Sequence, residues 1–371
     1  MSLKRSLQLK SGLSTTVGFI FILFFWASAA SSSSNDLHEA KYYLAIEGGD
    51  VQCLLCPREC YIKPGERGTC GVRENREGRL YSLVYGKPCA VHVDPIEKKP
   101  LFHMLPGSGS FSMATAGCNL RCINCQNWTL SQRLPEEVEN YDLSPSQVVE
   151  LAKEGDCKTI AYTYNEPTVF FEYMLDTAKC AHKKGLRNLW ITSGYINAGP
   201  SRELCKYLDA ANVDLKGFTE QFYRRIGGGK LEPVLKTLKI LKEEGVWLEV
   251  TNLIIPTFND DLSQIGAMCE WIKHNLGPDI PLHFSRFFPA HKLTRLPPTP
   301  VKTLEEAREV ALKIGLHYVY VGNVPGHPGN STYCPRCGKL LIQRVGFIVS
   351  QNNIVEGHCK FCGEKIPGVW D

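Results

Sequence analysis

The sequence has little net charge, because 42 lysine and arginine residues are balanced by 38 acidic residues, leaving a formal charge of +4. So small an excess does not indicate a nucleic-acid-binding protein, and no basic stripe with interleaved aromatic residues is present. The composition also lacks the bias that marks collagen, coiled coils or disordered chains. With 371 residues, 43% of them apolar, the chain is long enough for one large domain or two modest ones.

Cysteine is the exception to this ordinary composition, since the chain holds 16 of them. That is too many for a typical intracellular enzyme and too dilute for a small domain held together by disulfides. Eleven fall into three groups, and the other five are predicted to be small buried apolar residues. The isolated ones are Cys89, Cys157, Cys180, Cys205 and Cys269.

The C-terminal group consists of two Cys-x-x-Cys pairs, Cys334 with Cys337 and Cys359 with Cys362, each followed by a glycine. A strand-like stretch, LIQRVGFIV, separates the pairs. Four thiolates brought together by two such turns predict a closed tetrahedral site, which suits zinc or a single iron. Two disulfides, or four unrelated thiols, are the alternatives. The site is predicted to stabilise a small zinc-ribbon-like module over residues 326–371.

The N-terminal group, Cys53, Cys56, Cys60 and Cys70, lies in a predicted cysteine-rich segment over residues 37–108. Nearby prolines and glycines predict a tight loop rather than a helix or strand. The spacing is compatible with a second metal site, holding either zinc or an iron–sulfur cluster. Disulfide pairing in an exported protein is the alternative.

The middle group, Cys118, Cys122 and Cys125, offers three closely spaced thiolates and no obvious fourth in the local sequence. The preceding run FSMATAG predicts a strand that ends in glycine, so the cysteines follow the C-terminal end of a strand. Three protein ligands on a 4Fe-4S cluster leave one iron open to a substrate or cofactor. An open coordination position is typical of a catalytic metal centre.

Over residues 109–325, strand-like runs alternate with helical patterns, which predicts an α/β fold with parallel strands. About six such units form a partial (β/α)6 TIM-like barrel, whose catalytic groups lie at the C-terminal ends of the strands. The predicted strands are 111–117, 159–164, 188–194, 211–218, 248–256, 281–289 and 317–322. The predicted helices are 145–153, 169–184, 232–244, 262–275 and 304–314.

The Cys-x3-Cys-x2-Cys loop after the first of these strands resembles the defining motif of radical S-adenosylmethionine enzymes. Four stretches resemble the AmmeMemoRadiSam system radical SAM enzymes, which are related to pyruvate formate-lyase activating enzymes. These stretches are VDPIEKKPLFHMLPGS, GCNLRCINCQNW, AYTYNEPTVF and VDLKGF. The resemblance runs from about residue 40 to the C-terminus. It implies a 4Fe-4S cluster on Cys118, Cys122 and Cys125, and S-adenosylmethionine bound to the open iron.

The same resemblance assigns further cofactor-binding residues to the turns after the strands. Tyr164-Asn165-Glu166-Pro167 matches the family's Gly-Gly-Glu-Pro segment, with Asn165 at the second glycine, so the Glu166 carboxylate is implied to bind the amino group of the cofactor. Its alternative role is that of an acid at the start of the following helix. Ser193 is implied to bond the ribose, while Ile191 stands where activating enzymes carry an aspartate.

Asp214 and Lys216 match the Asp-Leu-Lys-Gly turn of the activating enzymes residue for residue, and strand alternation places them on one face. The resemblance implies that Lys216 pairs with the cofactor carboxylate and Asp214 with a nearby polar or cationic group; a surface ion pair is the alternative. His291, in the run FFPAH, is implied to contact the cofactor, or else is an exposed loop histidine.

Residues 1–36 form a leader in which Lys4, Arg5 and Lys10 precede an uncharged stretch ending in VGFIFILFFWASAA. This pattern fits a signal peptide, a membrane anchor or an organellar presequence. An oxygen-sensitive cluster favours a reducing compartment, either the cytoplasm or the interior of an organelle, for the catalytic core. Membrane association through the leader is compatible with both.

The sequence therefore predicts a radical SAM enzyme that takes hydrogen from a macromolecular substrate, protein or RNA. Its implied cofactors are a 4Fe-4S cluster, S-adenosylmethionine and zinc, and its implied electron donor is a ferredoxin or flavodoxin. No side chain is assigned as catalytic. The alternatives are a glycyl-radical enzyme activase of the pyruvate formate-lyase activating type, and a non-catalytic iron–sulfur and zinc protein serving electron transfer or as a scaffold.

Overall fold

The computed structural model describes residues 37–371, so the predicted leader, residues 1–36, lies outside the described residues. Over residues 37–371, every helix is too short or too polar to cross a membrane. The first described strands form two small antiparallel sheets, ordered β1-β6-β5 and β2-β3-β4. Their bounds are β1 His38–Glu39, β2 Tyr43–Ala45, β3 Val51–Cys53, β4 Tyr61–Ile62, β5 Arg73–Arg76 and β6 Arg79–Ser82.

The central sheet has eight strands that follow one another in chain order. The first, β7, is antiparallel to its neighbour, and the other seven are parallel. This confirms the predicted α/β class and adds an antiparallel edge strand that the sequence pattern did not predict. The strands are β7 Ala90–Pro95, β8 Gly109–Ala114, β9 Thr159–Tyr162, β10 Arg187–Thr192, β11 Ala210–Asp214, β12 Trp247–Ile254, β13 Leu282–Arg286 and β14 Val319–Gly322.

Helices connect the parallel strands, and most lie where the 3.6-residue periodicity predicts them. The helix predicted from residue 169 begins instead at Phe171, after a 3₁₀ turn over Pro167–Phe170. The helices are α1 Trp128–Ser131, α2 Pro145–Glu154, α3 Phe171–Lys183, α4 Ala198–Cys205, α5 Glu220–Phe222, α6 Glu232–Glu243, α7 Leu262–Asn275 and α8 Val301–Ile314.

The two faces of the central sheet differ in the size of their side chains. Large residues such as Ile160 and Trp190 belong to the main core, together with helix residues such as Leu175. On the opposite face, β9 and β11 present the small side chains of Ala161 and Ala210. Successive side chains of a strand alternate between faces, so the inner face leaves room for another part of the chain.

That room is filled by residues 96–107, which connect β7 to β8 and are called the plug from here on. Ile96, Leu101, Met104 and Leu105 of the plug pack against Ala161, Leu189 and Ala210 of three successive strands. The side-chain amide of Asn212 donates a hydrogen bond of 2.8 Å to the Pro100 carbonyl. The conspicuous stretch VDPIEKKPLFHMLPGS thus fills the inside of the curved sheet.

A buried carboxylate, Glu249 on β12, holds the plug. It accepts hydrogen bonds from the backbone N–H groups of Phe102 (3.0 Å) and His103 (2.8 Å), and from Nε2 of His283 (2.7 Å). Burial opposes ionisation, but the hydrogen bond from His283 lowers the pKa of Glu249. A buried charge is tolerated only when its lone pairs are bonded in this way.

The C-terminal segment also attaches to the plug. Arg344 donates a 2.7 Å hydrogen bond to the Phe102 carbonyl, and Nδ1 of His103 donates one of 2.7 Å to the Pro367 carbonyl. The stretch 341–349, predicted as one strand, is a hairpin that turns at Gly346 (φ +60°). The strands are β15 Thr332–Tyr333, β16 Leu340–Val345, β17 Ile348–Asn352, β18 Ile354–Val355 and β19 His358–Cys359.

The central sheet begins before residue 109, because β7 and the plug lie within residues 90–107. The domain boundaries expected between residues 108 and 109 and between residues 325 and 326 stay predictions.

The protonation of His103 is expected to make stability pH-dependent. Burial lowers the pKa of His103 to about 4, and Glu249, His283 and Arg344 face it. The pKa of a histidine in an unfolded chain is about 6.5. Between pH about 6.5 and about 4, His103 is therefore protonated in the unfolded chain but neutral in the folded chain. The free energy of unfolding should therefore fall by about 3 kcal/mol as the pH drops from about 6.5 to about 4.

Urea unfolding across this pH range checks the expectation. His103→Gln, which does not titrate, should be less stable at neutral pH but should show a flatter pH dependence than the native chain. His274→Gln changes an exposed histidine and serves as the control. Equal slopes for the native chain and His103→Gln would contradict the assignment.

Candidate functional site

The middle cysteine group lies in a loop that follows β8 at the C-terminal edge of the sheet. The loop is pinned by a segment distant in sequence, because Arg121 N–H donates to the Gly227 carbonyl (2.8 Å) and Ile123 N–H to the Ile226 carbonyl (3.0 Å). Residues Tyr223–Gly227 form a π-helical turn, a rare geometry often found at functional sites. The loop carrying the three thiols is therefore fixed from outside.

Gly117, immediately before Cys118, lets this loop approach the N-terminal segment. Its φ is +85°, a conformation that favours glycine. A Cβ atom here would lie 2.5 Å from Cγ1 of Val72 and 2.6 Å from the Cys70 carbonyl oxygen. The loop is thus held on a second side by the segment that carries the N-terminal cysteines.

The thiols of the loop are buried or half-buried and have hydrogen-bonding neighbours. The backbone N–H of Leu120 donates to the Cys118 sulfur at 3.3 Å, and the Cys125 sulfur lies 3.2 Å from the Ser131 hydroxyl. Burial raises the pKa of Cys118, and it raises the pKa of Cys122 to about 11. Without a bound cation these two thiols are neutral at physiological pH, and metal ligation would deprotonate them.

A cavity of about 460 Å³ lies at the C-terminal ends of the parallel strands, next to this loop. Its walls come from turns after β9, β10, β11 and β14, from β12 and β13, and from the cysteine loop itself. This is the position at which barrels of parallel strands hold their reacting groups. The polar lining residues include Asn124, Gln126, Thr163, Asn165, Ser193, Asp214, Lys216, Thr251, Ser285 and Asn323.

Asp214 and Lys216 line the cavity as an ion pair, with 2.8 Å between Lys216 Nζ and Asp214 Oδ2. Burial opposes the charge, but Asp214 and Cys122 raise the pKa of Lys216. The structure thus brings the predicted lysine close enough to a cysteine of the loop for electrostatic coupling. The turn is held by Asn259, whose amide donates 2.8 Å to the Lys216 carbonyl.

Asn165 lies between the cavity and the cysteine loop. Its side-chain amide donates to the carbonyls of Thr115 and Gly117, both at 2.8 Å, while its Oδ1 is buried without a hydrogen-bond partner among the described residues. Asn124 Oδ1 is also buried, faces the same cavity and has no described partner. Two unsatisfied acceptors are costly unless a donor is supplied, so they fit a ligand that carries N–H or O–H groups.

Tyr164 stands at the first glycine of the Gly-Gly-Glu-Pro segment, and its φ of +70° is one that glycine adopts most easily. Its hydroxyl donates to Asp94, and Lys99 Nζ lies 4.4 Å from its ring centroid.

Glu166 is turned away from the cavity. One oxygen of its carboxylate accepts from the hydroxyls of Thr168 (2.7 Å) and Thr192 (2.6 Å), and the other from the backbone N–H of Ser193 (2.6 Å). It also accepts from Thr168 N–H at the start of the turn Pro167–Phe170. The carboxylate ties neighbouring turns together, and its binding of the cofactor amino group stays a prediction. Ser193 itself lines the cavity.

His291 is not among the residues lining the cavity. Its ring stacks on Trp128, with 5.3 Å between the centroids. Burial and the charge of Lys292 lower the pKa of His291. Its contact with a cofactor stays a prediction.

Lys99, on the plug, is a cavity residue that the sequence reasoning missed. Its Nζ lies 2.6 Å from Oδ2 of Asp94, and burial lowers the pKa of Lys99 to about 8. Burial opposes ionisation of Asp94, but hydrogen bonds from Lys98, Lys99 and Tyr164 lower its pKa. The signal available in the sequence was a pair of lysines, Lys98 and Lys99, immediately before the apolar run Pro100–Phe102.

A second cavity, of about 420 Å³, adjoins the first and shares Gln126, Thr251 and Phe347 with it. Phe102 and Phe288 contribute aromatic surface to its wall. Phe347 comes from the hairpin turn of the C-terminal segment, so that segment takes part in the mouth of the site. The sequence pattern could not indicate this contact, because it joins residues far apart in the chain.

The four C-terminal cysteines come together as predicted. Their sulfur atoms lie within 4.8 Å of one another, with 3.6 Å between Cys334 and Cys362 and 3.8 Å between Cys337 and Cys359. All 16 cysteines are free thiols, so neither cysteine-rich end contains the alternative disulfides. The quartet can hold one metal ion, and its identity as zinc stays a prediction.

The chain is similar to several known proteins. The family model described as Radical SAM superfamily matches residues 113–272. An uncharacterized protein of Methanocaldococcus jannaschii, MJ0808, is 49% identical over 332 residues, which cover 89% of this chain and 99% of that protein. The pyruvate formate-lyase-activating enzyme of Clostridium pasteurianum is 24% identical over 164 residues, 43% of this chain and 67% of that enzyme. Among solved structures, Streptococcus suis SuiB matches with a TM-score of 0.47 and 13% identity, covering 62% of this chain and 52% of SuiB.

Gly117→Ala is expected to displace the cysteine loop, because the added Cβ would overlap Val72 and the Cys70 carbonyl. The overlap and the unfavourable φ should together cost about 3 kcal/mol of stability and reduce the iron bound at the loop. Urea unfolding and iron analysis after anaerobic reconstitution measure both effects. Gly266→Ala, in helix α7 where a Cβ meets no atom closer than 3.8 Å, is the control. Native iron content and stability in Gly117→Ala would contradict this reading.

The C-terminal quartet is expected to hold about one zinc ion per chain. Replacing Cys337 and Cys362 together by serine should release that ion and make residues 326–371 sensitive to protease, because structural zinc stabilises small modules. Elemental analysis by mass spectrometry and limited proteolysis provide the readouts. Cys89→Ser, which changes an isolated cysteine, should keep the zinc. Iron in place of zinc in the native chain would refute the zinc prediction.

Proposed function

The chain belongs to the radical SAM superfamily, and from this membership we propose that it is an enzyme that cleaves S-adenosylmethionine reductively to start a radical reaction on a macromolecule. The observation that carries the proposal is the Asp214–Lys216 ion pair, which lines the cavity together with Asn124 of the cysteine loop. The pair lies close enough to Cys122 for its charges to act on that thiol. A zwitterionic cofactor that binds beside a cluster requires a fixed cation for its carboxylate and cluster ligands close by, both at the C-terminal ends of the parallel strands.

The described residues fit the two cofactors that the family implies. Cys118, Cys122 and Cys125 would ligate three irons of a 4Fe-4S cluster, and Asn124 and Asn165 offer buried acceptors without partners to the bound ligand. When bound, the cluster and S-adenosylmethionine supply one-electron cleavage of the cofactor to methionine and a 5′-deoxyadenosyl radical that takes hydrogen from the substrate. The chain's own contribution is to bind, orient and shield.

Each proposed contact follows from charge and position. The Lys216 ammonium, with its raised pKa, would neutralise the cofactor carboxylate. The Asn165 side chain can accept from the cofactor because its amide is already used on Thr115 and Gly117. Ser193 lines the same wall and is available to the ribose hydroxyls. Glu166 supports this wall from behind by fixing the backbone N–H of Ser193.

A macromolecular substrate is supported by the second cavity and its apolar rim. Phe288 is 39% exposed and Phe347 is 46% exposed, and both line this cavity beside the cofactor cavity. Exposed aromatic residues of this kind are typical of surfaces that bind a partner. We infer that a segment of a protein or RNA enters here, and that a ferredoxin or flavodoxin supplies the electron.

Activation of a glycyl-radical enzyme is the second candidate. It is supported by the identity of Asp214-Leu215-Lys216-Gly217 to the activating-enzyme turn and by the 24% identity to the Clostridium pasteurianum enzyme. Placement within the AmmeMemoRadiSam group rests on the sequence motifs and stays a prediction. A scaffold without catalysis is disfavoured by the orphaned acceptors in a polar cavity, because leaving such groups unpaired is costly.

Reductive cleavage is tested by anaerobic reconstitution followed by dithionite reduction with S-adenosylmethionine. The native chain is expected to release 5′-deoxyadenosine, measured by liquid chromatography and mass spectrometry. Cys122→Ala should lose the loop cluster and the product. Lys216→Met should keep its iron but raise the KM for S-adenosylmethionine by about 10- to 100-fold, the value of a charge-assisted hydrogen bond.

Lys302→Met, which changes a lysine side chain that is 82% exposed, is the matched control and should behave as the native chain. An intact cluster that yields no 5′-deoxyadenosine with S-adenosylmethionine would overturn the enzymatic proposal. An unchanged KM in Lys216→Met would remove that lysine from the cofactor site.

A further inference from the structure

The N-terminal cysteines Cys53, Cys56, Cys60 and Cys70 line one small cavity, which is separate from the cofactor cavity. Cys53 ends β3, Cys56 lies in the following turn, Cys60 immediately precedes β4, and Cys70 lies between β4 and β5. We propose that these four thiolates bind a second iron–sulfur cluster, which passes electrons to the cluster at Cys118, Cys122 and Cys125. Its role as a relay rests on the proposed function, whereas its assembly does not.

One of the four sulfurs accepts a hydrogen bond from a backbone N–H: Thr69 N–H lies 3.4 Å from the Cys60 sulfur. Such a bond stabilises a thiolate more than a thiol and is typical of cysteines that ligate metal. The cysteine loop shows the same kind of bond, from Leu120 N–H to the Cys118 sulfur at 3.3 Å. In the other three, burial raises the pKa, and the backbone N–H two residues after each cysteine lowers it; these residues are Leu55, Arg58 and Val72.

The spread of the sulfur atoms favours a cluster over a single ion. Among the described residues, only the C-terminal quartet brings its ligand atoms within 4.8 Å of one another. No three of the N-terminal thiols come that close, although they surround a common cavity. One tetrahedral zinc draws its four sulfurs together, whereas a cluster binds them through different irons and keeps them apart. The three thiols of the cysteine loop likewise do not all lie within 4.8 Å of one another.

Arg73 is an independent sign of an anionic occupant. It is 2% exposed and lines this cavity. Its Nη1 donates to Glu172 at 3.1 Å and its Nη2 to the Lys41 carbonyl, but its Nε is buried without a partner among the described residues. A buried guanidinium N–H without an acceptor is costly. A cluster held by four thiolates is negatively charged and offers acceptor sulfurs to that N–H group.

The proposed cluster would lie against the catalytic loop. Arg58 Nε donates to the Asn119 carbonyl at 2.8 Å, Asn119 lines the cavity, and Gly117 packs on the Cys70 carbonyl. The N-terminal cavity and the cysteine loop are therefore in direct contact through these residues. In the relay, a low-potential protein donor gives one electron to the N-terminal cluster, which passes that electron to the cluster at Cys118. No bond of the chain forms or breaks.

The test isolates the second site by removing the first. A chain with Cys118, Cys122 and Cys125 all replaced by alanine is reconstituted anaerobically with iron and sulfide. It is expected to retain about four irons and four sulfides, against about eight of each in the native chain, and a reduced-cluster signal in electron paramagnetic resonance. Cys56→Ser with Cys70→Ser should lose about half of the native iron. Cys89→Ser with Cys180→Ser, two isolated cysteines, should lose none.

Zinc without iron in the triple-alanine chain, apart from the ion of the C-terminal quartet, would overturn the cluster assignment, and so would an absence of metal there. The relay is tested in the Cys56→Ser and Cys70→Ser chain with the loop cluster intact. Dithionite should still drive 5′-deoxyadenosine formation, whereas a reduced ferredoxin should not. Equal rates with ferredoxin in this chain and the native chain would overturn the relay. Failure of the native chain with dithionite would refute the proposed function but leave the second cluster standing.

Discussion

The packing of the plug inside the curved sheet is the constraint on which the rest of the structure depends. The strands present small or polar side chains inward, such as Ala161 and Ala210, and these alone cannot fill the interior. Residues 96–107 fill it instead, and the Glu249 carboxylate fixes them through two backbone N–H groups. Because Lys99 and Pro100 belong to both the plug and the cavity lining, the packing of the sheet and the shape of the site are one arrangement.

The cysteine loop depends on parts of the chain that surround it more than on its own secondary structure. A short turn with three thiols has few hydrogen bonds of its own, so the segment ending in Gly227 and the backbone near Cys70 hold it from two sides. Such support from outside is what a metal centre requires, since a ligand displaced by a fraction of an ångström binds less well. The N-terminal cysteines therefore lie next to the cysteine loop, whatever they bind.

The sequence was sufficient for features that are local or periodic. The alternation of strands and helices predicted the α/β class. The Asp-Leu-Lys-Gly turn predicted that Asp214 and Lys216 would share a face, and both residues line the cavity. Features set by distant contacts were not predictable. The carboxylate of Glu166 points away from the cavity because it accepts hydrogen bonds from Thr192 and Ser193 at the end of the next strand. Phe347 reaches the site only through a hairpin whose sequence resembles one continuous strand. The antiparallel edge strand β7 has no distinctive pattern of its own.

The plug has a further consequence for how such a site can diversify. The walls of the cavity are strand ends that also carry the core packing of the sheet, so changes there disturb the whole domain. The floor is a connecting segment, of which Lys98, Lys99 and Pro100 line the cavity while Leu101 and Met104 face the interior. Depth and charge at the floor of the cavity are thus set by three consecutive residues that lie outside the strands.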